Sequence, residues 1–171
     1  GGSLPKLKAS GTVTIAGEEF AVTGFTWMDH EYGYFGTAAK PVKWILQDAQ
    51  LDNGWNLSNF SLTAPKAGEP MSSFATLQDP NGAMHFALIA FLTPSGDPAD
   101  QWPSPDTGLT YFTKYRIQIP FYGADLTVTS LVAGQEFPNG PGKGVYEGVA
   151  IASGTFLGQP ASGTAWNEQA L

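Results

Sequence analysis

There is no cysteine among the 171 residues. Disulfides, thiol nucleophiles and thiolate metal sites are thereby excluded, while the cellular compartment stays open. Charge is scarce as well: only 13% of residues are charged, and eight Lys and Arg face fifteen Asp and Glu, for a net charge of −7. Lys40 and Lys43 come nearest to a basic pair, and a solvated sheet edge accounts for them. With no basic stripe to meet phosphates, nucleic acid is not an expected partner. No apolar run reaches about eighteen residues, so no membrane span is expected. No segment shows a convincing 3.6-residue period, which removes a helical bundle. The two histidines, His30 and His85, match no metal motif in their spacing, and no metal site is expected. No serine sits in a Gly-x-Ser-x-Gly elbow, so a serine-hydrolase triad has no anchor.

What remains is rich in turn residues and aromatics: 21 Gly, 13 Pro, five Trp, six Tyr and eleven Phe. That mixture suits many short strands joined by turns, within one domain large enough to bury a real core. Residues 1–8 read as a tag remnant (Gly1-Gly2-Ser3) and a linker or extended lead-in strand (Leu4-Pro5-Lys6-Leu7-Lys8), leaving 9–171 as a single domain. Alternating runs follow at 10–16, 19–28, 42–51, 55–62, 71–77, 83–92, 109–120, 125–133, 145–156 and 163–169. Asp52-Asn53-Gly54 and Asp79-Pro80-Asn81-Gly82 are hairpin signals. Residues 32–41 read as a loop with the makings of a lid, and 93–107 as a long proline-rich loop. About ten strands in hairpin order predict an all-β, up-and-down antiparallel barrel of 8–10 strands, or a sandwich. A barrel of that size has an apolar interior able to hold one small ligand.

The densest chemistry lies at Gly24-Phe25-Thr26-Trp27-Met28-Asp29-His30-Glu31-Tyr32-Gly33. A continuous strand puts Phe25, Trp27, Asp29 and Glu31 on one face. A carboxyl beside an indole and a second carboxylate is a candidate proton donor near neutral pH. The same letters also suit a barrel-closing tryptophan with acids capping loop amides at the rim. Tyr146-Glu147 and Trp166-x-Glu168 repeat the carboxylate–aromatic pairing, and rim solvation or strand-end ion pairing accounts for them. Asn56-Leu57-Ser58 and Asn59-Phe60-Ser61 are formal glycosylation acceptors and hint at secretion.

Several motifs also resemble one family in their order along the chain. Residues 10–15 and 22–31, Trp44 to Gly54, the Trp102-Pro103-Ser104-Pro105-Asp106-Thr107-Gly108 segment with Tyr111, Tyr146-Glu147-Gly148 and residues 163–168 carry the likeness. Together they resemble the C-terminal lipocalin-like domain of the carotenoid hydratase (hydroxyneurosporene synthase)-like and kievitone hydratase-like proteins, with fungal Diels–Alderases more distant. Tyr32 stands where many relatives carry tryptophan. The resemblance implies a lipocalin-like barrel that is the second half of a two-barrel protein, so an N-terminal lipocalin-like half or self-association is an expected partner. It also implies cofactor-independent secondary metabolism on an apolar substrate: a polyene, a terpenoid or a prenylated aromatic.

Alkene hydration, the lyase-type chemistry of such hydratases, needs a proton donor, a pocket tolerant of a carbocation and a positioned water. Asp29 or Glu31 is the candidate donor, and Tyr111 or a second carboxylate the group that orients water. Trp27 and Trp44 can stabilise positive charge through their π faces. Phe25, Trp102, Tyr146 and Trp166 complete the candidate substrate-binding set. A pericyclase would use the same apolar cavity with mainly orientation and one hydrogen-bond donor. A non-catalytic lipocalin-like carrier would need the cavity alone.

Overall fold

The computed structural model describes residues 2–33, 36–37 and 40–171. The chain divides into two units, Gly1–Phe35 and Gly36–Leu171. Of the lid expected at 32–41, residues 34–35 and 38–39 lie outside the described residues.

The first unit is a long antiparallel hairpin of β1 (Gly2–Ile15) and β2 (Glu18–His30). Its two-residue turn, Ala16-Gly17, has positive φ at both positions (51° and 84°), the twist that suits a tight hairpin. The pairing runs back to Gly2 opposite His30, with one slip between Leu4 and Leu7. Residues 2–8 are therefore part of β1, as the lead-in strand alternative had it for residues 4–8. Val13, Ile15, Phe20, Val22, Phe25 and Met28 are all exposed on this hairpin.

The second unit opens with a short ladder of β3 (Gly36–Thr37) and β4 (Lys40–Pro41). A meander follows: β5 (Trp44–Leu51), β6 (Asn56–Ser61), β7 (Met71–Gln78) and β8 (Met84–Pro94). A 3-10 turn (Pro98–Asp100) leads into β9 (Gln101–Pro103), which pairs with β10 (Thr110–Phe112). The rest is β11 (Lys114–Ile119), β12 (Ala124–Ser130), β13 (Glu136–Pro138), β14 (Gly144–Phe156) and β15 (Gln159–Ala170). The order β12-β11-β8-β7-β6-β5-β15-β14 closes through a β12–β14 pairing, giving an eight-stranded antiparallel barrel, with β13 added along the start of β14. Closure leaves no open edge among these eight strands.

Strand alternation builds the core. Ile45, Leu57, Leu77, Leu92, Ile117 and Leu126 point inward and are essentially fully buried, each stabilising the fold by about 1.5–3 kcal/mol. Trp55, Tyr122 and Phe156 pack together, with ring centroids 5.2–6.2 Å apart. They fill the end of the barrel carrying the β5–β6 and β14–β15 hairpins. The latter turn, Leu157-Gly158, again has both φ positive, and Gly158 takes φ 73° without a Cβ penalty.

Two features differ from the sequence expectation. The run 109–120 is two strands, because the barrel pairing of β11 stops at Lys114 and β10 leaves to join β9. Thr113 stands at the break, its N–H bonded to the Asp100 carbonyl and its own carbonyl accepting from Ser130 N–H. The lumen is also not wholly apolar: Gln47, Asn59, Asn167 and Gln169 are fully buried. Asn56 and Asn59, the two glycosylation acceptors, are 3% and 0% exposed, so the folded chain offers neither to a glycan. Among the described residues no helix is long and apolar enough to cross a membrane.

Candidate functional site

The expected site residues fall into three groups. On the hairpin unit, Trp27 and Asp29 do share a face, two residues apart on β2, and the indole Nε1–H donates to Asp29 Oδ1 at 2.8 Å. Ser3 Oγ, opposite Asp29 in the β1/β2 register, donates to the same oxygen. Asp29 is exposed, as are Phe25 and Glu31, and Glu31 lies beyond the end of β2. The Lys6 ammonium lies 5.0 Å from the Phe25 ring centroid.

The second group lies on the outer face of β14, β15 and β5. Glu147 and Glu168 are directly opposite in the β14/β15 register, which places two carboxylates side by side on one face. Each accepts an indole N–H: Trp166 Nε1 to Glu147 Oε2 at 2.7 Å, and Trp44 Nε1 to Glu168 Oε1 at 2.5 Å. Asp48, paired with Trp166 across β5/β15, is almost wholly buried on this face, and Leu46, paired with Glu168, is buried beside it. Both glutamates are half-buried. The structure thus joins Trp44 and Trp166 to Glu168 and Glu147, two acids that sequence reading left as rim decoration, with Asp48 on the same face. The signal was present as two carboxylate–aromatic pairs, but only the β14/β15 register brings the pairs together.

The third group surrounds Glu136, which the sequence reading missed. Its carboxylate accepts from Thr107 Oγ1 at 2.6 Å, from Tyr111 OH at 2.8 Å, and from Ser104 Oγ. Trp102 lies near-parallel to Tyr111 at 6.2 Å, and Tyr146 packs against both rings. The hydroxyls of the spaced motif Ser104, Thr107, Tyr111 therefore converge on one acid 25–32 residues further along the chain, with Trp102 stacked on Tyr111. Burial opposes the charge on Glu136, yet the hydroxyls of Ser104, Thr107 and Tyr111 outweigh it and hold the carboxyl below its usual range. Burial, then the Glu136 carboxylate, pushes the Tyr111 phenol up, so it stays a donor. Gly144 permits this approach: a Cβ there would lie 2.5 Å from Glu136 Oε1 and 2.9 Å from Tyr111 OH.

Inside the barrel an amide relay crosses the lumen. Gln169 Oε1 accepts from Phe112 N–H and Tyr115 OH, each at 3.0 Å, and its Nε2 donates to the Phe112 carbonyl and Asn167 Oδ1. Asn167 Nδ2 donates to the Phe112 carbonyl and Ser130 Oγ, and Gln47 Nε2 donates to Asn167 Oδ1 at 2.7 Å. There the relay stops. Gln47 Oε1, both polar atoms of Asn59 and Ser73 Oγ are buried with no hydrogen-bond partner in the protein, at a cost of about 1–3 kcal/mol per unsatisfied group. Near the hairpin end, His85 Nε2 lies 3.0 Å from Asp79 Oδ2 with its ring against Trp55. His85 holds the Asp79 carboxyl below its usual range.

A closed, eight-stranded antiparallel barrel of this kind is a lipocalin-like architecture. The sequence pattern of the AttH-like family matches residues 2–168, and the chain belongs to that family. Two solved structures share the fold. An AttH protein of Nitrosomonas europaea is 24% identical, with a TM-score of 0.72 over 98% of this chain and 51% of its own. Kievitone hydratase of Nectria haematococca is 23% identical, with a TM-score of 0.76 and the same coverage. The chain spans about half the length of each. No protein with curated annotation matches it by sequence.

Proposed function

We propose that this chain is a hydratase/lyase-like domain that adds water to the alkene of an apolar small molecule without a cofactor. The observation that carries the reading is the facing pair Glu147 and Glu168, each held by an indole. Hydration needs one carboxyl that gives a proton and one carboxylate that takes one, and such a pair supplies both. The protonated member, which we assign to Glu168 beside half-buried Trp44, transfers its proton to the less substituted alkene carbon. A tertiary cation forms between the indole faces of Trp44 and Trp166, which attract positive charge. Water attacks that carbon, and Glu147 takes the proton it releases, leaving an alcohol and a pair still carrying one proton. Asp48 adds negative charge along the same face.

The donor role is assigned here rather than to Asp29 or Glu31 because those two are exposed on the hairpin. Tyr111 serves the Glu136 centre, to which its hydroxyl is committed. The resemblance to kievitone hydratase-like proteins supports the choice of a prenylated aromatic as probe. The test is incubation with an ortho-prenylated phenol in oxygen-18 water, followed by mass spectrometry. The expected product is the tertiary alcohol carrying the heavy oxygen, formed about 10²–10⁴-fold more slowly by Glu168→Gln and Glu147→Gln. Binding without turnover would replace this reading with that of a carrier. Turnover unaffected by both variants would remove the glutamates from the chemistry.

A further inference from the structure

The barrel wall carries charge unevenly. Strands β14, β15 and β5 bring Glu147, Glu168 and Asp48 to its outer face, and β11 and β12 bring Arg116 and Asp125. The three strands between them, β6, β7 and β8, hold no Asp, Glu, Lys or Arg at all. Their one titratable side chain, His85, stands opposite buried Leu77 and is bonded to Asp79. Alternation sends Leu57, Leu77 and Leu92 inward, and what it sends outward on these strands is mostly apolar. Phe60 and Phe74 are opposite one another, with ring centroids 5.6 Å apart. Beside them β8 bulges: Ser73 pairs with Ala90 and Ala75 with Ala87, so Leu88 and Ile89 together oppose Phe74. The bulge turns two consecutive side chains outward, leaving Leu88 84% and Ile89 69% exposed, with Phe86 at 71%.

That surface is large for one chain to leave open. Phe74, Met84, Phe86, Leu88 and Ile89 are 44–84% exposed, and together they show water on the order of 500 Å² of apolar area. The largest apolar patch of a soluble monomer spans about 300–600 Å² and often marks an interaction site. Half-buried Phe60 and Phe91 and the hydroxyls of Ser58, Ser72 and Thr76 extend it, toward the roughly 800 Å² that a stable interface takes from each partner. Charge then selects the occupant. A membrane-seated face sets Lys and Arg beside its apolar side chains. Here the β6–β7 and β7–β8 connections bring Glu69, Asp79 and a single lysine, Lys66, itself 3.6 Å from Glu69. A charged protein partner would find no counter-charge on the three strands. Two copies of this chain, at −7 each, repel least where neither brings a charge. We propose that the outer face of β6, β7 and β8 is the interface of a homodimer, in which Phe74, Phe86, Leu88 and Ile89 of each copy pack on those of the other. Such a face is its own complement about a two-fold axis. The interface needs nothing from Glu147 or Glu168, and it stands whether or not they hydrate an alkene.

Sedimentation equilibrium over a concentration series is the test. The chain should sediment as a dimer that dissociates on dilution. Leu88→Lys and Phe86→Glu, each at an open position of the wall, should raise the dissociation constant at least about tenfold by placing a charge in the apolar centre, with far-UV circular dichroism unchanged. Leu88→Ser and Ile89→Ser should each weaken the dimer several-fold, and they carry the test if a charged variant does not fold. Phe20→Lys, at an exposed apolar position of the β1/β2 hairpin, should leave the dimer as it is. A monomer at every concentration, a dimer that survives both charged variants, or one that Phe20→Lys abolishes would overturn the proposal. So would flotation of the chain with phosphatidylcholine vesicles that Leu88→Lys prevents, since the face would then belong to a lipid surface.

Discussion

Glu136 and the Glu147/Glu168 pair are both carboxylates at the aromatic-rich surfaces of one barrel, yet their surroundings ask opposite things of them. Glu136 meets three hydroxyl donors and no second acid among its described partners. Its charge is wanted where it is, and that is what a brace requires. Glu147 and Glu168 face each other, and each receives an indole donor. Like charges opposite one another in a ladder are destabilising, so nothing in local sheet energetics selects that arrangement. On the function proposed above, Glu136 braces the fold and the facing pair exchanges the proton.

Substitutions should separate the two roles. The largest effect expected is on turnover, with Glu168→Gln and Glu147→Gln losing two or more orders of magnitude while urea unfolding moves by no more than about 0.5 kcal/mol. Glu136→Ala should do the reverse. It strands the hydroxyls of Ser104, Thr107 and Tyr111, and a loss of about 2–4 kcal/mol in urea unfolding is expected. A stable Glu136→Ala with lost turnover would invert the comparison. Gly144→Ala tests the same brace from the backbone side: its Cβ must displace Glu136 or Tyr111, at about 1–3 kcal/mol.

Acid titration sharpens the contrast further. Because the folded Glu136 carboxyl is held below its ordinary value of 4.5, the unfolded chain takes up the proton first as pH falls. The stability contributed by Glu136 is thus complete above that value and is lost as pH drops through its folded value. Glu136→Gln should flatten this acid limb in chemical unfolding measured from pH 6 down to about 3. It should not abolish it, since Asp100, hydrogen-bonded by Lys114 and Ser95, and Asp125, held by Arg116, are lowered too. The smallest effect is expected at that last pair. Arg116 and Asp125 are half-exposed, and Arg116→Ala should change stability by less than about 1 kcal/mol. A larger loss there would mean that a surface ion pair rivals the brace.

Much of the barrel was legible because strand alternation and turn chemistry are local. The Asn-Gly turns, the alternation of Ile45, Gln47 and Ala49 against Trp44, Leu46 and Asp48, and the shared face of Trp27 and Asp29 all follow from a period of two. The split at Thr113 was read through, since 109–120 is strand-like along its length and the bonds that mark the break, to Asp100 and from Ser130, are non-local. Strand pairing explains the other misses as well. Glu136 lies far along the chain from the hydroxyls that converge on it. Gln47, Asn59 and Asn167 look like surface amides until closure turns their face inward.

The sequence by itself determined an all-β chain, its turns, its excess of acid and its freedom from thiol chemistry, because composition and short-range periodicity decide those. Only the tertiary structure decided which acids became neighbours and which amides were sealed inside. Register and barrel closure join residues more than a hundred positions apart, and no local pattern encodes that distance.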